Sequence, residues 1–252
     1  MRLAIISDIH GNAVALEAVL ADMQQFAVDQ VICLGDIIAN GPQPVEALER
    51  IQALDCPVIM GNTDDWIVNQ WPDEQLDPTA RQNLSPHEAI FYWDAEQLSA
   101  AHLDTMRAFV PTLNLPLGVG MDLLCFHGSP NSWRDIILST TSEDDLGRML
   151  SGFHAALMAG GHTHVQMLRR YQGMTIINPG SVGMPYDRPP APGLNRTALP
   201  QAEYALLHWH EGEISIEFRR VPFEVDALLR VAFRSGMPHT SWWANNFWKR
   251  PA

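Results

Sequence analysis

Five short polar clusters in this sequence contain side chains of the types that bind metal ions, and each cluster follows an apolar run. The clusters are Asp8-Ile9-His10-Gly11-Asn12, Gly35-Asp36, Gly61-Asn62, His127-Gly128 and Gly161-His162-Thr163-His164. A mixture of carboxylate, amide and imidazole ligands favours manganese, iron or zinc over calcium or magnesium. Two divalent ions roughly 3.5–4 Å apart need a bridging carboxylate and several neutral ligands. We therefore expect the clusters to form one binuclear metal site.

The spacing within the clusters suggests how they divide between two ions. Asp36 is the natural bridge, because a lone carboxylate after a glycine can reach both ions and offset part of their repulsion. Asp8 and His10 are two residues apart, so an extended segment places them on one face and a turn lets them converge. His162 and His164 repeat this spacing after two glycines, which permit a tight backbone turn.

The apolar runs that must position these clusters are four to six residues long and rich in Ile, Val and Leu. This pattern is typical of strands buried on both faces, whose carboxyl ends line the ligand-binding crevice of open α/β sheets. Strands are predicted at 2–7, 30–34, 56–60, 112–117, 121–126, 155–159, 165–171, 174–178, 203–209 and 213–220. Helices are predicted at about 12–27, 42–51 and 223–234. Two facing sheets with helices outside would accommodate this order.

In this order the five clusters resemble the D-x-H, G-D, G-N, H and G-H-x-H signature of the calcineurin-like metallophosphoesterase superfamily. The match extends from Arg2 to about Val182, and the NPGS turn at 178–181 is most similar to the small prokaryotic phosphodiesterase branch. That branch includes some dinucleoside polyphosphate hydrolases. The resemblance implies an α/β protein, a four-layer α/β/β/α sandwich of two mostly mixed sheets flanked by helices. We expect residues 1–252 to form a single domain of this kind.

The resemblance also implies how the ligands are shared between the ions. The ligands of the first ion would be Asp8, His10 and His164, those of the second Asn62, His127 and His162, and the bridge Asp36. The expected reaction is in-line attack on phosphorus by a metal-bridging hydroxide. Asn62 and His127 are the expected catalytic residues, because they would lie beside the phosphoryl oxygens and position the group.

One position departs from the family pattern. Members with a Gly-Asn-His block use that histidine near the leaving group, whereas Thr63 follows Asn62 here. A positioned acid contributes about 10²–10⁴-fold in rate. Its loss is most harmful for alkyl monoesters, whose alkoxide leaves poorly, so we expect hydrolysis of phosphodiester or nucleotide phosphoanhydride bonds. Asp64 would replace the acid if its surroundings kept it protonated.

Three further residues are candidates for substrate binding. Asn12, at the start of the first helix, is expected to orient Asp8 or His10 or to lie close to the substrate. Arg134 and Arg188 are expected to contact phosphate, because a guanidinium suits bidentate phosphate binding. An ordinary surface or structural ion pair is the alternative role for either arginine.

Composition limits the partners and the compartment. A formal net charge of −13 argues against binding long nucleic acid, and leaves a small phosphorylated substrate such as a nucleotide. Cys33, Cys56 and Cys125 are odd in number and lie in or beside predicted strands, which is typical of reduced core thiols and predicts a cytoplasmic protein. No run approaches 18 apolar residues, so neither a membrane segment nor membrane attachment is expected.

Three segments outside the clusters have alternative interpretations. Residues 64–110 are predicted to be a helical insertion that overhangs the site, where Trp66, Trp71, Tyr92 and Trp93 either stack a nucleobase or, the favoured interpretation, pack in the core. The Pro-rich loop at 185–200 either faces substrate or lies passively on the surface. The helical tail at 222–252 is expected to dock on the body, with a homo-oligomer interface as the alternative.

Two alternatives to the expected activity remain open. One is phosphomonoester or phosphoprotein hydrolysis, against which Thr63 argues. The other is a non-catalytic protein-binding scaffold, because a retromer subunit uses this fold chiefly in that way. In a non-catalytic scaffold we would expect some metal-ligand residues to be replaced by side chains that cannot bind metal. All seven positions here carry ligating side chains, which favours catalysis.

Overall fold

The structure is a computed structural model, and it describes residues 1–71, 81–189 and 197–248. Within these residues the strands form a four-stranded sheet, with the order β2-β1-β8-β9, and a five-stranded sheet, with the order β3-β4-β5-β7-β6. The strands are β1 Arg2–Ile6, β2 Gln30–Cys33, β3 Leu113–Gly118, β4 Met121–Cys125, β5 Leu157–Ala159, β6 Met167–Tyr171, β7 Met174–Asn178, β8 Gln201–His210 and β9 Glu213–Pro222. Both sheets contain parallel and antiparallel pairs.

Helices cover the outer faces of the two sheets. They are α1 Ala13–Met23, α2 Pro44–Gln52, α3 Asn62–Asp65, which continues as a π-helical turn at Trp66–Gln70, α4 Pro86–Glu96, α5 Ala100–Arg107, α6 Glu143–Met149, α7 Val225–Ala232 and α8 Thr240–Phe247. Helix α4 begins with a capping box, in which Ser85 and Glu88 bond each other's backbone N–H groups.

Strand β1 shows how the layers are held together. Leu3 and Ile5 point into an apolar cluster between the two sheets, which also contains residues of β4, β5 and β8. Ala4 and Ile6 alternate to the opposite face and pack in the cluster beneath α1 and α2. A third cluster lies between the five-stranded sheet and α6. The predicted four-layer α/β/β/α sandwich is therefore confirmed.

The local predictions are corrected at three places. Residues 56–60 do not form a strand, because pairing is limited to single parallel bridges of Val58 with Cys33 and of Ile59 with Val110. Helix α1 ends at Met23, and Ala27 has a φ of 45°, which is incompatible with continuation of the helix. The helix predicted at 42–51 begins two residues later, at Pro44.

The predicted hairpin near the carboxyl end is present. Strands β8 and β9 pair over ten positions, from Gln201 opposite Pro222 to His210 opposite Glu213. The two turn residues have positive φ, 49° for Glu211 and 90° for Gly212, as a primed two-residue turn requires. His208 and His210 are exposed on one face of β8.

A partly buried ion pair connects α1 to this hairpin. Asp22 accepts hydrogen bonds from the Tyr204 hydroxyl at 2.7 Å and from the Arg219 guanidinium at 2.9 Å. Burial alone would raise the pKa of Asp22, but hydrogen bonds from Arg219 and Tyr204 outweigh it and hold the pKa below its usual range.

Because of this ion pair, we expect the folded protein to lose stability in acid. Because the folded pKa of Asp22 is depressed, its contribution is present above the unfolded pKa of about 3.9 and is lost as pH falls through the folded value. We expect Asp22→Asn to lower the free energy of unfolding by about 1–2 kcal/mol at neutral pH. Urea unfolding of both proteins should give values that converge below about pH 4. Glu217→Gln, which removes the exposed partner of the same Arg219, should change stability by less than about 0.5 kcal/mol.

The tail packs against the body of its own chain, which agrees with the expectation of docking. Trp243 is 1% exposed and Trp248 is 5% exposed, and both lie in the cluster beneath α1 and α2. Residues 249–252, like 72–80 and 190–196, lie outside the described part of the chain. All three cysteines are free thiols. None of the helices in the described residues combines the length and the apolarity that crossing a membrane requires.

Candidate metal centre

The ligand candidates lie at the carboxyl ends of strands that belong to both sheets. Asp8 follows β1, Asp36 follows β2, His127 follows β4, and His162 and His164 follow β5. Five ligand candidates have backbone angles in the left-handed region. The φ values are 56° at Asp8, 47° at His10, 52° at Asp36, 68° at His162 and 61° at His164. Such conformations cost energy in non-glycine residues and persist when the surrounding structure enforces them, typically at functional sites.

Glycines in the predicted clusters allow the loops to approach each other. A Cβ at Gly61 would clash with the backbone and the carboxylate of Asp36. A Cβ at Gly161 would clash with Ser7 Oγ and with the carboxylate of Asp8. Substitution at either position would therefore separate loops that come from different strands.

The side chains form two adjacent groups of ligand atoms. In the first, His10 Nε2 lies 3.0 Å from His164 Nε2, which lies 3.3 Å from Asp8 Oδ1. The second contains Asp36, His127 and His162, whose ligand atoms all lie within 4.8 Å of one another.

Asn62 and Asp36 complete the arrangement. Asn62 Oδ1 lies 3.2 Å from His127 Nε2 and so belongs beside the second group. Asp36 Oδ2 lies 3.5 Å from His127 Nε2 and 3.7 Å from His10 Nε2, between the two groups. The structure therefore brings all seven predicted ligands together, with Asp36 in the middle.

Backbone carbonyl groups orient three of the imidazole rings. The Nδ1 atoms of His10, His127 and His164 lie 3.1, 2.7 and 2.8 Å from the carbonyl oxygens of Ala39, Leu34 and Met184. A ring that donates its Nδ1 proton to a carbonyl presents the lone pair of Nε2 on its other side. All three Nε2 atoms consequently face the centre of the site, where each is an acceptor when its ring is neutral.

This arrangement fits divalent cations. When the rings of His10 and His164 are neutral, with their Nδ1 protons bound to carbonyls, the short contact between their Nε2 atoms joins two acceptors, which a shared cation would stabilise. Two nitrogens bound to one ion at about 2.0–2.1 Å would lie roughly 3 Å apart, close to the 3.0 Å between the first two rings. Asp8 Oδ1 is fully buried and accepts no hydrogen bond, so it is free to bind a cation.

Electrostatics favour the metal-binding states of Asp8, Asp36 and His10. Burial opposes ionisation of Asp8, but His164 and His127 outweigh it and lower the pKa of Asp8 to about 2. Burial also opposes ionisation of Asp36, whose pKa is nevertheless held below its usual range by His127. Burial and His164 lower the pKa of His10 to about 4, so that this imidazole is neutral. Carboxylates and neutral imidazoles are the metal-binding forms of these residues. At His127, burial lowers the pKa, but the Asp36 and Asp8 carboxylates outweigh it and raise the pKa to about 9, so a cation would have to displace the proton of this ring.

The NPGS turn after β7 holds two ligand loops in place, a positioning role that the sequence alone did not predict. Asn178 Nδ2 donates to Gly161 O at 2.6 Å, beside His162. Ser181 Oγ donates to Asp8 O at 2.7 Å and accepts from Met184 N at 2.8 Å. The signal was present, because Asn178-Pro-Gly-Ser181 is a sixth polar cluster at the end of an apolar strand.

Ser181 therefore offers a test of how this turn supports the metal site. We expect Ser181→Ala to weaken metal affinity about 10–100-fold, because substitutions behind metal ligands typically have effects of this size. Competition with a chromogenic chelator would measure the change. Ser142→Ala, which removes the hydroxyl that caps α6, should bind metal as the unchanged protein does. Equal affinity in both variants would exclude a supporting role for Ser181.

Thr63 and Asp64 have structural positions and do not supply the missing acid. Thr63 is 5% exposed, and its N–H donates to Asp36 Oδ1 at 2.9 Å. Asp64 is fully buried, and its carboxylate accepts hydrogen bonds from the backbone N–H groups of Asp36, Ile37 and Gly61. Burial and the nearby Asp36 carboxylate raise the pKa of Asp64 to about 7. The hypothesis that Asp64 replaces the acid is nevertheless wrong, since its oxygens point into the backbone of the ligand loops.

The structure separates the three candidates for substrate binding. Asn12 is 1% exposed, and its side chain caps α1 through Ala15 N and donates to Gly183 O at 3.0 Å. Its amide is therefore occupied and covered, a position that does not favour the predicted substrate contact. Arg188 is exposed and forms a bidentate pair with Asp187, the alternative role considered for it. Arg134 instead lines a cleft that reaches the metal site.

That cleft has a volume of about 460 Å³ and begins at Asn62. Its other lining residues are Trp66, His87, Glu88, Phe91, Tyr92 and Arg134. Five of these come from the segment 64–110, which was predicted to overhang the site. Trp66, Trp71 and Trp93 pack against the apolar core and Tyr92 is buried, which agrees with the favoured interpretation; Trp66 and Tyr92 also line the cleft.

Comparison with known proteins identifies the family. The model of the calcineurin-like phosphoesterase superfamily domain matches residues 1–212. An uncharacterized protein of Methanocaldococcus jannaschii is 25% identical over 250 residues, which cover 94% of this chain and 93% of that protein.

Solved structures agree with this match. A metallophosphoesterase from Sphaerobacter thermophilus has a TM-score of 0.75 and 27% identity, with 97% of this chain and 98% of that chain covered. A hypothetical protein from Pyrococcus horikoshii has a TM-score of 0.79 and 19% identity, with 99% of each chain covered, and shows the same fold. With its two groups of metal-ligand side chains, the chain belongs to the calcineurin-like phosphoesterase superfamily, a family of metal-dependent hydrolases.

Proposed function

We propose that this protein is a binuclear metal-dependent hydrolase of phosphodiester or nucleotide phosphoanhydride bonds. The observation that carries the proposal is the position of Asp36, whose Oδ2 lies within 3.7 Å of an imidazole nitrogen from each ligand group. A carboxylate between two sets of neutral ligands is the arrangement that two neighbouring cations require.

The proposed ligands follow the two groups. Asp8, His10 and His164 would hold one manganese, iron or zinc ion, and Asn62, His127 and His162 the other. When bound, two such ions supply Lewis acidity toward phosphoryl oxygens and lower the pKa of water.

The chain itself contributes position and charge. Asp36 offsets the repulsion between the cations, and the N–H of Thr63 holds one of its oxygens in place. Asn62 borders the cleft, and the buried His127 lies beside it with Nε2 3.2 Å from Asn62 Oδ1, where both would orient the phosphoryl group. His162 stands on the same side and is only partly buried, so it is accessible from solvent.

The absence of an acid at residue 63 or 64 supports the choice of substrate. Thr63 is turned toward Ile38 O, and Asp64 is enclosed by backbone N–H groups, so neither can protonate a departing oxygen. Aryl diesters and phosphoanhydrides have leaving groups that depart as stable anions and do not need this proton. A small phosphorylated substrate is also compatible with a chain whose formal net charge is −13, because the bound cations would dominate locally.

The test is hydrolysis by protein that has been stripped of metal and reconstituted with manganese, iron or zinc. We expect metal-dependent turnover of an aryl diester and of a dinucleoside polyphosphate, ahead of an aryl monoester. A leading monoester would favour the alternative of phosphomonoester or phosphoprotein hydrolysis and would overturn the argument from Thr63. Failure of all three substrates with every metal would favour a non-catalytic scaffold.

A further inference from the structure

The cleft beside Asn62 has the composition of a binding site for an aromatic group. Asn62 is both a ligand candidate, 3.2 Å from His127 Nε2, and a lining residue of the cleft. A phosphate bound at the metal centre would therefore direct one of its substituents into this space. Its volume of about 460 Å³ is within the range of about 300–1,000 Å³ that is usual for small-molecule sites.

Aromatic rings form the walls of the cleft. The ring of Trp66 packs edge-to-face with Phe91, at a centroid distance of 5.5 Å, and with Tyr92, at 5.3 Å. His87 lies 5.1 Å from Phe91. Trp66 and Phe91 are only half-buried, so both retain accessible surface on the side of the cleft. A planar ring is the group that such walls bind best, because stacking combines apolar contact with favourable ring geometry.

Helical spacing fixes these walls relative to the metal centre. Trp66 follows Asn62 by four residues along α3 and its π-helical continuation, and its N–H bonds to Asn62 O. His87 and Phe91 are also four residues apart, on α4, and therefore share one face of that helix. Two helices thus present aromatic side chains toward the same space that Asn62 borders.

Arg134 supplies the only positive charge among the described residues that line the cleft. Its guanidinium has no hydrogen bond or ion pair with any residue in the described ranges, although its backbone N–H donates to Ser132 Oγ. The acidic lining residue, Glu88, is occupied by its hydrogen bond with Ser85 N at 2.8 Å. An unpaired arginine beside an expected phosphate site suits a non-bridging phosphate oxygen.

We propose that this cleft binds a planar aromatic group, a nucleobase or a simple aryl ring, carried on the phosphate that occupies the metal centre. Trp66 and Phe91 contact the ring, and Arg134 contacts the phosphate. The assignment deepens the proposed function and rests on it, because the phosphate is placed by the metal centre.

Equilibrium binding of phosphonates tests the assignment without turnover, because their carbon–phosphorus bond is not hydrolysed. Isothermal titration of the zinc-loaded protein would compare methylphosphonate, phenylphosphonate and the phosphonate analogue of AMP. We expect at least one of the two aromatic ligands to bind about 10-fold tighter than methylphosphonate, as stacking on aromatic side chains predicts. The tighter of the two distinguishes a nucleobase from a simple aryl ring.

Two substitutions test the contact with the ring and the contact with the phosphate separately. Phe91→Leu should remove most of the aromatic preference and leave methylphosphonate binding unchanged, whereas Arg134→Gln should weaken all three ligands. Phe233→Leu, which changes a 61% exposed ring at the end of α7, is the matched control and should behave as the unchanged protein. If Phe91→Leu fails to fold, His87→Ala on the same helix face is the second variant. Melting curves verify that each variant is folded.

The outcomes distinguish this inference from the proposed function. Binding of all three phosphonates within twofold of each other, or an undiminished preference in the folded Phe91 and His87 variants, would overturn the aromatic site even if diester hydrolysis is found. The opposite outcome is also possible: the unchanged protein prefers aromatic phosphonates, the variants lose this preference, and no metal-dependent turnover is found. That result would support the aromatic site and refute the proposed hydrolysis.

Discussion

Asp36→Asn is expected to reduce metal-dependent hydrolysis of an aryl phosphodiester by more than about 10²–10³-fold, the loss seen when a single electrostatic group is removed from an active site. The effect should be at least this large because Asp36 acts on both ligand groups, with Oδ2 3.5 Å from His127 Nε2 and 3.7 Å from His10 Nε2. Asparagine preserves the shape and one oxygen but removes the negative charge between two cations. Steady-state rates at saturating metal measure the change.

Thermal stability provides a second measurement for the same variant. Metal that binds only the folded state stabilises it, by about 2.7 kcal/mol at a concentration 100 times the Kd. We expect the melting temperature of the unchanged protein to rise with added metal, and that of Asp36→Asn to rise much less. Asp144→Asn, on the exposed surface of α6, is the matched control. Turnover of Asp36→Asn within about tenfold of the control would contradict a bridging role.

Trp243→Ala is expected to lower the free energy of unfolding by about 3–5 kcal/mol, the usual cost of truncating a large buried aromatic side chain. Trp243 is 1% exposed, and it belongs to the tail, more than two hundred residues after the first ligand loop. Its indole Nε1 donates to Asn40 O at 2.7 Å. Trp243→Phe preserves a ring but leaves that carbonyl without the indole donor, which should cost about 1–3 kcal/mol.

The same contact should also affect the metal site. Asn40 is adjacent to Ala39, whose carbonyl oxygen lies 3.1 Å from His10 Nδ1, and both residues have a φ of 69°. Asp94 supports this strained turn from the other side by accepting from Asn40 N at 2.8 Å. Loss of the indole donor would relax the turn and release His10 from its orientation. We therefore expect Trp243→Phe to weaken metal affinity about tenfold.

Urea unfolding and chelator competition measure the two effects of Trp243. Trp242→Phe is the matched control, because this neighbour packs its ring against Phe247 and has no hydrogen bond to the ligand loops among the described residues. It should change stability by less than about 1 kcal/mol and leave metal affinity unaltered. A Trp243→Phe variant that equals the control in both measurements would show that the tail merely covers the body.

Much of the fold could be predicted from the sequence because its signals are local. Apolar runs such as those before Asp8 and His127 are short and followed by glycine or polar residues, so each identifies a buried strand and its carboxyl end without knowledge of the others. The run at 56–60 has the same composition but lacks a continuous partner, and it forms isolated bridges instead of a strand. The composition of this run could not predict that outcome, because strand pairing depends on which backbone segments lie beside the run in the fold.

The candidate ligands were also predictable, since side-chain chemistry and order along the chain are properties of the sequence. The roles of their neighbours were not. Asn12 caps a helix, Asp64 faces backbone N–H groups, and Arg134 reaches the cleft whereas Arg188 pairs with Asp187. Each of these roles depends on which atoms are close in space.

The sequence by itself determined most of the strands and helices and the set of side chains that can hold metal, because hydrophobic pattern and ligand chemistry are encoded residue by residue. The four-layer architecture followed from the resemblance of its five clusters to a known family. Only the tertiary structure decided that Asp36 lies between two ligand groups, that Ser181 holds the Asp8 loop, and that Trp243 supports the turn behind His10. These contacts join residues up to 203 positions apart. Their formation depends on the packing of both sheets and the tail, and no local pattern in the chain specifies it.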